Sequence, residues 1–115
     1  SSFLYEAGSY RLGRHAMPAL DQVSKMLIDL DRRVTIEGHT DSTQPRGDLS
    51  NWDLSALRAT HVLRHMINKN DFPKSKISAA GFGDTKAVAQ NRSEQGRRLN
   101  RRVELKIHYD DVETR

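Results

Sequence analysis

A chain of 115 residues, of which 36% are hydrophobic and 30% charged, has the size and composition of one globular domain, which excludes disorder throughout. No segment approaches the roughly 20 apolar residues that span a bilayer, and no basic segment followed by an apolar one opens the chain, so we expect neither a membrane crossing nor an export signal in the sequence as given. The lack of cysteine excludes disulfides and thiolate zinc sites, and the formal charge of +4 favours anionic partners.

The first third of the chain predicts a strand, a helix and a second strand. Residues 3–7 are a short strand candidate, and residues 8–13 form a turn with a glycine at each end. Apolar residues spaced by three and four then predict a helix whose first turn contains Pro18. Its predicted buried stripe consists of Ala16, Leu20, Val23, Leu27 and Leu30. Val34 and Ile36 alternate with polar residues as in a half-buried strand, and residues 38–47 are predicted to be a loop that contains Asp41.

A capping box predicts where the second helix begins. Ser50 is followed three residues later by Asp53, and this pattern places the helix start near Asn51. The predicted buried stripe consists of Ala56, Ala59, Leu63, Met66 and Ile67. Asn51 and Arg58 are seven residues apart, about two turns, and so share another face of the helix.

The remaining chain predicts two strands separated by a polar insertion. Pro73 ends the second helix, residues 77–82 form the third strand candidate, and residues 94–99 form a short helical turn. Val103, Leu105 and Ile107 alternate with polar residues and predict the last strand. We expect residues 110–115 to fray. This order of elements predicts one domain over residues 1–115, an α/β sandwich with helices on one face of the sheet.

Asp41 and Arg58 are candidates for a ligand site. The turn between the second strand and the second helix can bring this carboxylate and this guanidinium within a few ångströms of each other. If they do not neutralise each other, the carboxylate can bind an ammonium and the guanidinium a carboxylate, which predicts capture of a free amino-acid head group. The alternative from the residues alone is a structural ion pair or loop cap.

Other site classes have weaker support. His61 and His65 have a zinc-compatible spacing of four, but no glutamate follows His61, so we predict no metal site and no hydrolase. No serine or cysteine nucleophile lies in a recognisable elbow, so we predict no enzyme. Five arginines leave nucleic-acid binding as an alternative, although few aromatics accompany them: Arg92, Arg97, Arg98, Arg101 and Arg102. The last two also fit a solvated basic end of a strand.

Four motifs in order resemble the OmpA-like peptidoglycan-binding domain. They are Gly38-His39-Thr40-Asp41, residues 51–59 with Leu54-Ser55 and Arg58-Ala59, Gly81-Phe82-Gly83, and residues 96–104 with Asn100-Arg101-Arg102-Val103-Glu104. The resemblance extends from about residue 3 to residue 107. Within the family, residues 50–55 and 96–104 are most similar to the periplasmic domain of flagellar stator proteins of the MotB type and their sodium-driven relatives. Type VI secretion anchors share the Ser-Asn-Trp motif.

The resemblance implies a two-layer sandwich with a mixed sheet, and non-catalytic binding of peptidoglycan through meso-diaminopimelate. Asp41 matches the family position that receives the ammonium, and Arg58 the one that receives the carboxylate. Pocket neighbours are matched by Thr40, Asn51, Leu54 and Arg102. No cofactor is implied.

The resemblance also implies the setting of the domain. It predicts a periplasmic part of a membrane-anchored protein, a membrane partner subunit reached through a preceding region, and a homodimer. A flagellar stator fits best, and the alternatives are a type VI secretion anchor and an outer-membrane protein of the OmpA or Pal type.

Overall fold

The computed structural model describes residues 2–109, which form a mixed four-stranded sheet. The strands are β1 (Ser2–Leu4), β2 (Arg33–His39), β3 (Ile77–Gly81) and β4 (Arg102–His108). Their order across the sheet is β1-β4-β2-β3, with β4 antiparallel to both its neighbours and β2 parallel to β3. The predicted α/β class with a mixed sheet is therefore confirmed.

Within residues 2–109, three helices accompany the sheet: α1 (Met17–Asp29), α2 (Asn51–Asn70) and α3 (Glu94–Asn100). Short 3₁₀ turns at Arg14–Ala16 and Lys74–Lys76 precede α1 and β3. Helix α2 packs on β2 and β3, and α1 packs on α2. The core lies between this helical layer and the sheet, where Leu20, Leu27, Ile36, Val62 and Met66 are buried. No helix within residues 2–109 combines the length and the apolar character that a membrane span requires.

The start of α2 has the predicted capping box. The Ser50 hydroxyl accepts a hydrogen bond from the Asp53 backbone N–H, and the Asp53 carboxylate accepts one from the Ser50 backbone N–H. These two bonds satisfy backbone donors that the first turn of a helix leaves unpaired. The helix therefore starts at Asn51 as predicted, next to the end of β2.

Strand β2 and helix α2 approach each other closely at Gly38. A Cβ atom at this position would lie 1.9 Å from the backbone oxygen of Ser55, a distance that no side chain can adopt. The absence of a side chain at Gly38 thus allows β2 to lie directly against the first turns of α2. The same strand then continues to His39, so the loop begins two residues later than predicted.

Several predicted details are wrong. Strand β1 ends at Leu4 rather than residue 7, and Leu30 lies past the end of α1 and is 57% exposed. In α2, Ala56 is exposed, because the buried stripe passes through Leu54, Ser55 and Arg58 instead. The prediction followed apolar character, whereas two of these three buried side chains are polar. The predicted fraying of residues 110–115 concerns residues outside the described range.

Candidate ligand-binding cavity

A cavity of about 470 Å³ opens at the end of β2, beside the start of α2. Four of the six predicted ligand residues line it: Thr40, Asp41, Leu54 and Arg58. Arg101 lines it as well, and residues of the 43–49 loop and of the 7–8 turn form its rim. The structure thus brings the predicted acid and base into one cavity, together with a second arginine.

Asp41 is buried, with 5% of its surface exposed, and both of its carboxylate oxygens accept hydrogen bonds. Its Oδ1 atom accepts a bond of 2.8 Å from the Thr43 backbone N–H. Its Oδ2 atom accepts one of 3.1 Å from Nη1 of Arg101. A carboxylate has roughly four lone-pair sites, so two remain for a ligand. The charge of Asp41 is therefore partly balanced from within the protein.

Arg101 is held in place by three groups besides its own backbone. Its Nε donates to the Tyr5 carbonyl at 2.8 Å, and its Nη2 donates to the Glu94 carboxylate at 2.9 Å, while Nη1 bonds Asp41. The hydrogen bond from Arg101 lowers the pKa of Glu94 below its usual value. This network bridges β1, α3 and the end of β2, and it directs the Arg101 guanidinium at the cavity.

Arg58 is fully buried and is bound by backbone carbonyls rather than by a carboxylate. Its guanidinium donates to the carbonyls of Ser9 (2.7 Å), His39 (2.9 Å) and Glu6 (3.3 Å). Burial lowers the pKa of Arg58 to about 10, so the group still carries its charge at neutral pH. Three of its five N–H groups are used in this way, and the other two have no partner among residues 2–109.

Asp41 and Arg58 are not bonded directly to each other. Within residues 2–109, no hydrogen bond or ion pair joins them, since Asp41 bonds Arg101 and Arg58 bonds carbonyls. The guanidinium of Arg58 lies 5.0 Å from the ring centre of Tyr5, an additional attraction that needs no acid. The separation of acid and base on which the zwitterion hypothesis depends is therefore present.

Thr40 adds a polar atom at the floor of the cavity. Its backbone N–H donates to the Gly83 carbonyl at 2.9 Å, and the Gly83 N–H donates to the Ser55 hydroxyl at 2.9 Å. These bonds tie the end of β2 to the end of β3 and to α2. The Thr40 hydroxyl is buried and has no hydrogen-bond partner among the described residues, so it can donate to or accept from a bound ligand.

Asn51 and Arg102 do not line the cavity. Asn51 is the first residue of α2, half-buried, beside the cavity but outside its lining. Arg102 faces the other side of the sheet edge, where its guanidinium bonds the Glu104 carboxylate and the carbonyl of Lys86. The expectation that Arg102 lies beside Asp41 and Arg58 is corrected, because neighbouring residues at the start of a strand point in opposite directions.

The structure also corrects the view that Arg101 and Arg102 form a solvated strand end, since both are buried. A sequence signal could have found Arg101. The alternation of Val103, Leu105 and Ile107, continued backwards, puts Arg101 on the same side of the chain as these apolar residues and Arg102 on the other. Tyr5 was also missed, although its carbonyl and ring position both cationic groups.

Residues 4–101 match the model of the OmpA family. The chain belongs to the OmpA family. It is 33% identical over 109 residues to motility protein B of Bacillus subtilis, a match that covers 92% of this chain and 42% of that protein. It is 36% identical over 106 residues to the peptidoglycan-associated lipoprotein of Pseudomonas aeruginosa, which covers 92% of this chain and 61% of the lipoprotein. The chain thus spans less than two thirds of either relative.

A solved structure has the same fold over nearly the whole chain. The C-terminal domain of Helicobacter pylori MotB superposes with a TM-score of 0.87 at 25% identity, covering 99% of this chain and 89% of that domain. The chain is therefore an OmpA-family domain similar to the periplasmic domain of MotB, as the motifs predicted.

Proposed function

We propose that this domain binds peptidoglycan non-covalently by holding the free zwitterionic end of meso-diaminopimelate between Asp41 and Arg58. The observation that carries the proposal is the convergence of a buried carboxylate and a buried guanidinium in one cavity without a bond between them. Asp41 would accept the ammonium, and Arg58 would donate to the carboxylate. Charged hydrogen bonds of this kind contribute about 1.5–3 kcal/mol each.

The remaining cavity residues have complementary parts in this proposal. Arg101 stays bonded to Asp41, so the buried carboxylate keeps a positively charged partner when no ligand is bound. The Thr40 hydroxyl would bond the ligand, and Leu54 would pack on its aliphatic chain. Roles for Asn51, from the start of α2, and for Arg102 remain predictions that the cavity lining does not support.

Names of the relatives support the same setting. One is called a motility protein and the other peptidoglycan-associated, and both match over 92% of the chain. We therefore infer a wall anchor of a membrane complex in the periplasm, with the flagellar stator as the best fit. A membrane partner subunit and a homodimer belong to this proposal. A type VI secretion anchor and an outer-membrane protein of the OmpA or Pal type are the alternatives.

Sedimentation with purified diaminopimelate-type peptidoglycan tests the clamp. We expect the wild type to cosediment at both low and high salt, and Asp41→Asn and Arg58→Gln each to reduce binding by at least about tenfold, since each removes a charged contact. Free meso-diaminopimelate should compete, whereas 1,5-diaminopentane, which keeps both ammonium groups but has no carboxylate for Arg58, should compete less.

Exposed residues provide the matched controls. Asp29→Asn on α1 and Arg64→Gln on α2 remove the same charges at exposed positions outside the cavity lining and should leave binding unchanged. Circular dichroism of all four variants separates lost binding from lost folding. Binding that fades with salt and is insensitive to the Asp41 and Arg58 changes would contradict the clamp and support a general basic surface, the basis of the nucleic-acid alternative.

A further inference from the structure

A second cluster of polar side chains lies outside the cavity, where β2 and β4 pair. Glu37 of β2 is the direct partner of Glu104 on the antiparallel β4. His39 is two residues beyond Glu37, and side chains two apart in a strand point to the same side of the sheet. Pairing and alternation therefore direct all three side chains, Glu37, His39 and Glu104, to one place on the sheet face.

His39 is buried, yet its ring lacks polar partners. Only 1% of its surface is exposed, and neither ring nitrogen has a hydrogen-bond partner within residues 2–109. One side of the ring stacks on Phe82, with ring centres 5.3 Å apart and planes inclined by 10°. Buried imidazole nitrogens are normally satisfied by a hydrogen bond or by a metal, so this ring has an unused donor or ligand atom.

The potential ligand atoms of the three side chains converge. One ring nitrogen of His39 and one oxygen from each of Glu37 and Glu104 all lie within 4.8 Å of one another. Ligands of a tetrahedral zinc ion lie about 2.0–2.2 Å from the metal, so small rotations of the two carboxylates would complete three bonds. An open cavity of about 500 Å³, lined by both glutamates, leaves room for a water as fourth ligand.

We propose that Glu37, His39 and Glu104 form a zinc-binding site. Imidazole nitrogen with two carboxylate oxygens is a donor set that zinc accepts in tetrahedral geometry. Calcium and magnesium fit less well, because calcium prefers six to eight oxygen ligands and magnesium an octahedron of oxygens. This proposal does not depend on the proposed function, because the zinc ligands are absent from the lining of the Asp41 cavity.

Two positively charged side chains near the site, those of Arg102 and Lys86, affect how tightly zinc would bind to it. Arg102 bonds Oε2 of Glu104, which leaves Oε1 for the metal. Lys86 lies 5.2 Å above the Phe82 ring and is exposed, so it can move into solvent when a cation binds.

Zinc titration by isothermal calorimetry of the protein without a histidine tag tests the site. We expect one zinc per chain, with Glu37→Gln and Glu104→Gln each weakening binding by at least about tenfold, since even indirect partners of a metal cost that much. Glu104→Gln keeps an oxygen for Arg102, and Glu37 makes no bond to that arginine among the described residues, so both variants should fold. Magnesium and calcium should bind at least about tenfold more weakly than zinc.

Two further variants distinguish this site from adventitious binding. Lys86→Gln should strengthen zinc binding several-fold, because it removes a neighbouring positive charge. His65→Gln removes a half-buried histidine whose Nε2 atom lies 2.8 Å from Asp21, another pair of potential zinc ligands, and should have no effect. No zinc binding at millimolar zinc, binding insensitive to both glutamate changes, or binding lost with His65 would each overturn the proposal.

Discussion

The cavity at the end of β2 and the sheet face that holds Glu37, His39 and Glu104 are built on the same two strands but stabilise their charges differently. In the cavity, Asp41 and Arg101 are both almost fully buried. On the sheet face, the buried Arg102 bonds Glu104, whose side chain is 38% exposed. Two consecutive arginines therefore serve two different environments. We therefore expect the burial of the carboxylate, rather than that of the arginine, to decide how much each ion pair contributes to stability.

The close contact of β2 and α2 supports both regions, so disrupting it should produce the largest effect. Gly38→Ala would place a Cβ atom 1.9 Å from the Ser55 backbone oxygen. Because that oxygen belongs to a helix, the strand or the helix must shift, and we expect a loss of about 4 kcal/mol in the free energy of unfolding. Urea denaturation measures this loss.

Gly47→Ala is the control for that change. Gly47 has a φ of +72°, and beyond its chain neighbours no described residue comes within 4 Å of the position that a Cβ atom would occupy, so alanine there meets backbone strain without a clash. We expect a loss of only about 1 kcal/mol. Equal losses for Gly38→Ala and Gly47→Ala would contradict the close contact as the cause.

Replacing Arg101 and Arg102 separately by methionine should distinguish the contributions of the two regions to stability and to peptidoglycan binding. Arg101→Met leaves Asp41 buried without its ionic partner, and we expect a loss of about 3 kcal/mol together with weaker peptidoglycan binding. Arg102→Met leaves Glu104 able to reach water, and we expect a loss of about 1 kcal/mol with unchanged binding. Urea denaturation and sedimentation measure the two quantities. A larger loss of binding in Arg102→Met would favour the family-based prediction for that residue.

The smallest effect concerns the carboxylate at the outer end of the Arg101 network. Arg101 lowers the pKa of Glu94, so Glu94 should titrate below its usual value near 4.5 in the folded protein. Because the folded pKa is lower than the unfolded one, the interaction stabilises the fold above the usual pKa, and this contribution is lost as pH falls through the folded value. Carbon-detected NMR titration of the carboxyl group measures it.

The titration of Glu94 in the two arginine variants tests whether Arg101, and not Arg102, lowers the pKa of this carboxylate. In Arg101→Met, the pKa of Glu94 should return towards its ordinary value, whereas Arg102→Met should leave it low. A Glu94 pKa that does not respond to the loss of Arg101 would mean that this arginine is not fixed between the two carboxylates.

Local patterns predicted most of the elements. The capping box placed the start of α2 at Asn51, and the alternation of Val103, Leu105 and Ile107 placed β4. The prediction was weaker for buried polar residues. Ser55 and Arg58 lie in the buried stripe of α2, where a pattern of apolar residues selected Ala56 instead. A stripe of apolar residues does not identify Arg58, because the burial of this guanidinium depends on backbone carbonyl oxygens in distant segments, which accept its hydrogen bonds.

The ligand-binding site was also predictable only in part, because the positions of its buried polar side chains depend on distant segments of the chain. Asp41 and Arg58 followed from residue chemistry and from family motifs, and the cavity contains both. Arg101 was not selected, since its position depends on Tyr5, Asp41 and Glu94, which lie up to 96 residues away in sequence.

Most elements of this protein, its family and the residues of its acid and base pair could be predicted from the amino-acid sequence alone. These follow from local propensities, caps and motifs, which act over a few neighbouring residues. Three features became visible only in the folded chain: Arg58 is held by carbonyls, Arg101 rather than Arg102 reaches Asp41, and Glu37 and Glu104 meet beside His39. Strand register and burial bring distant residues together, and these depend on packing of the whole chain.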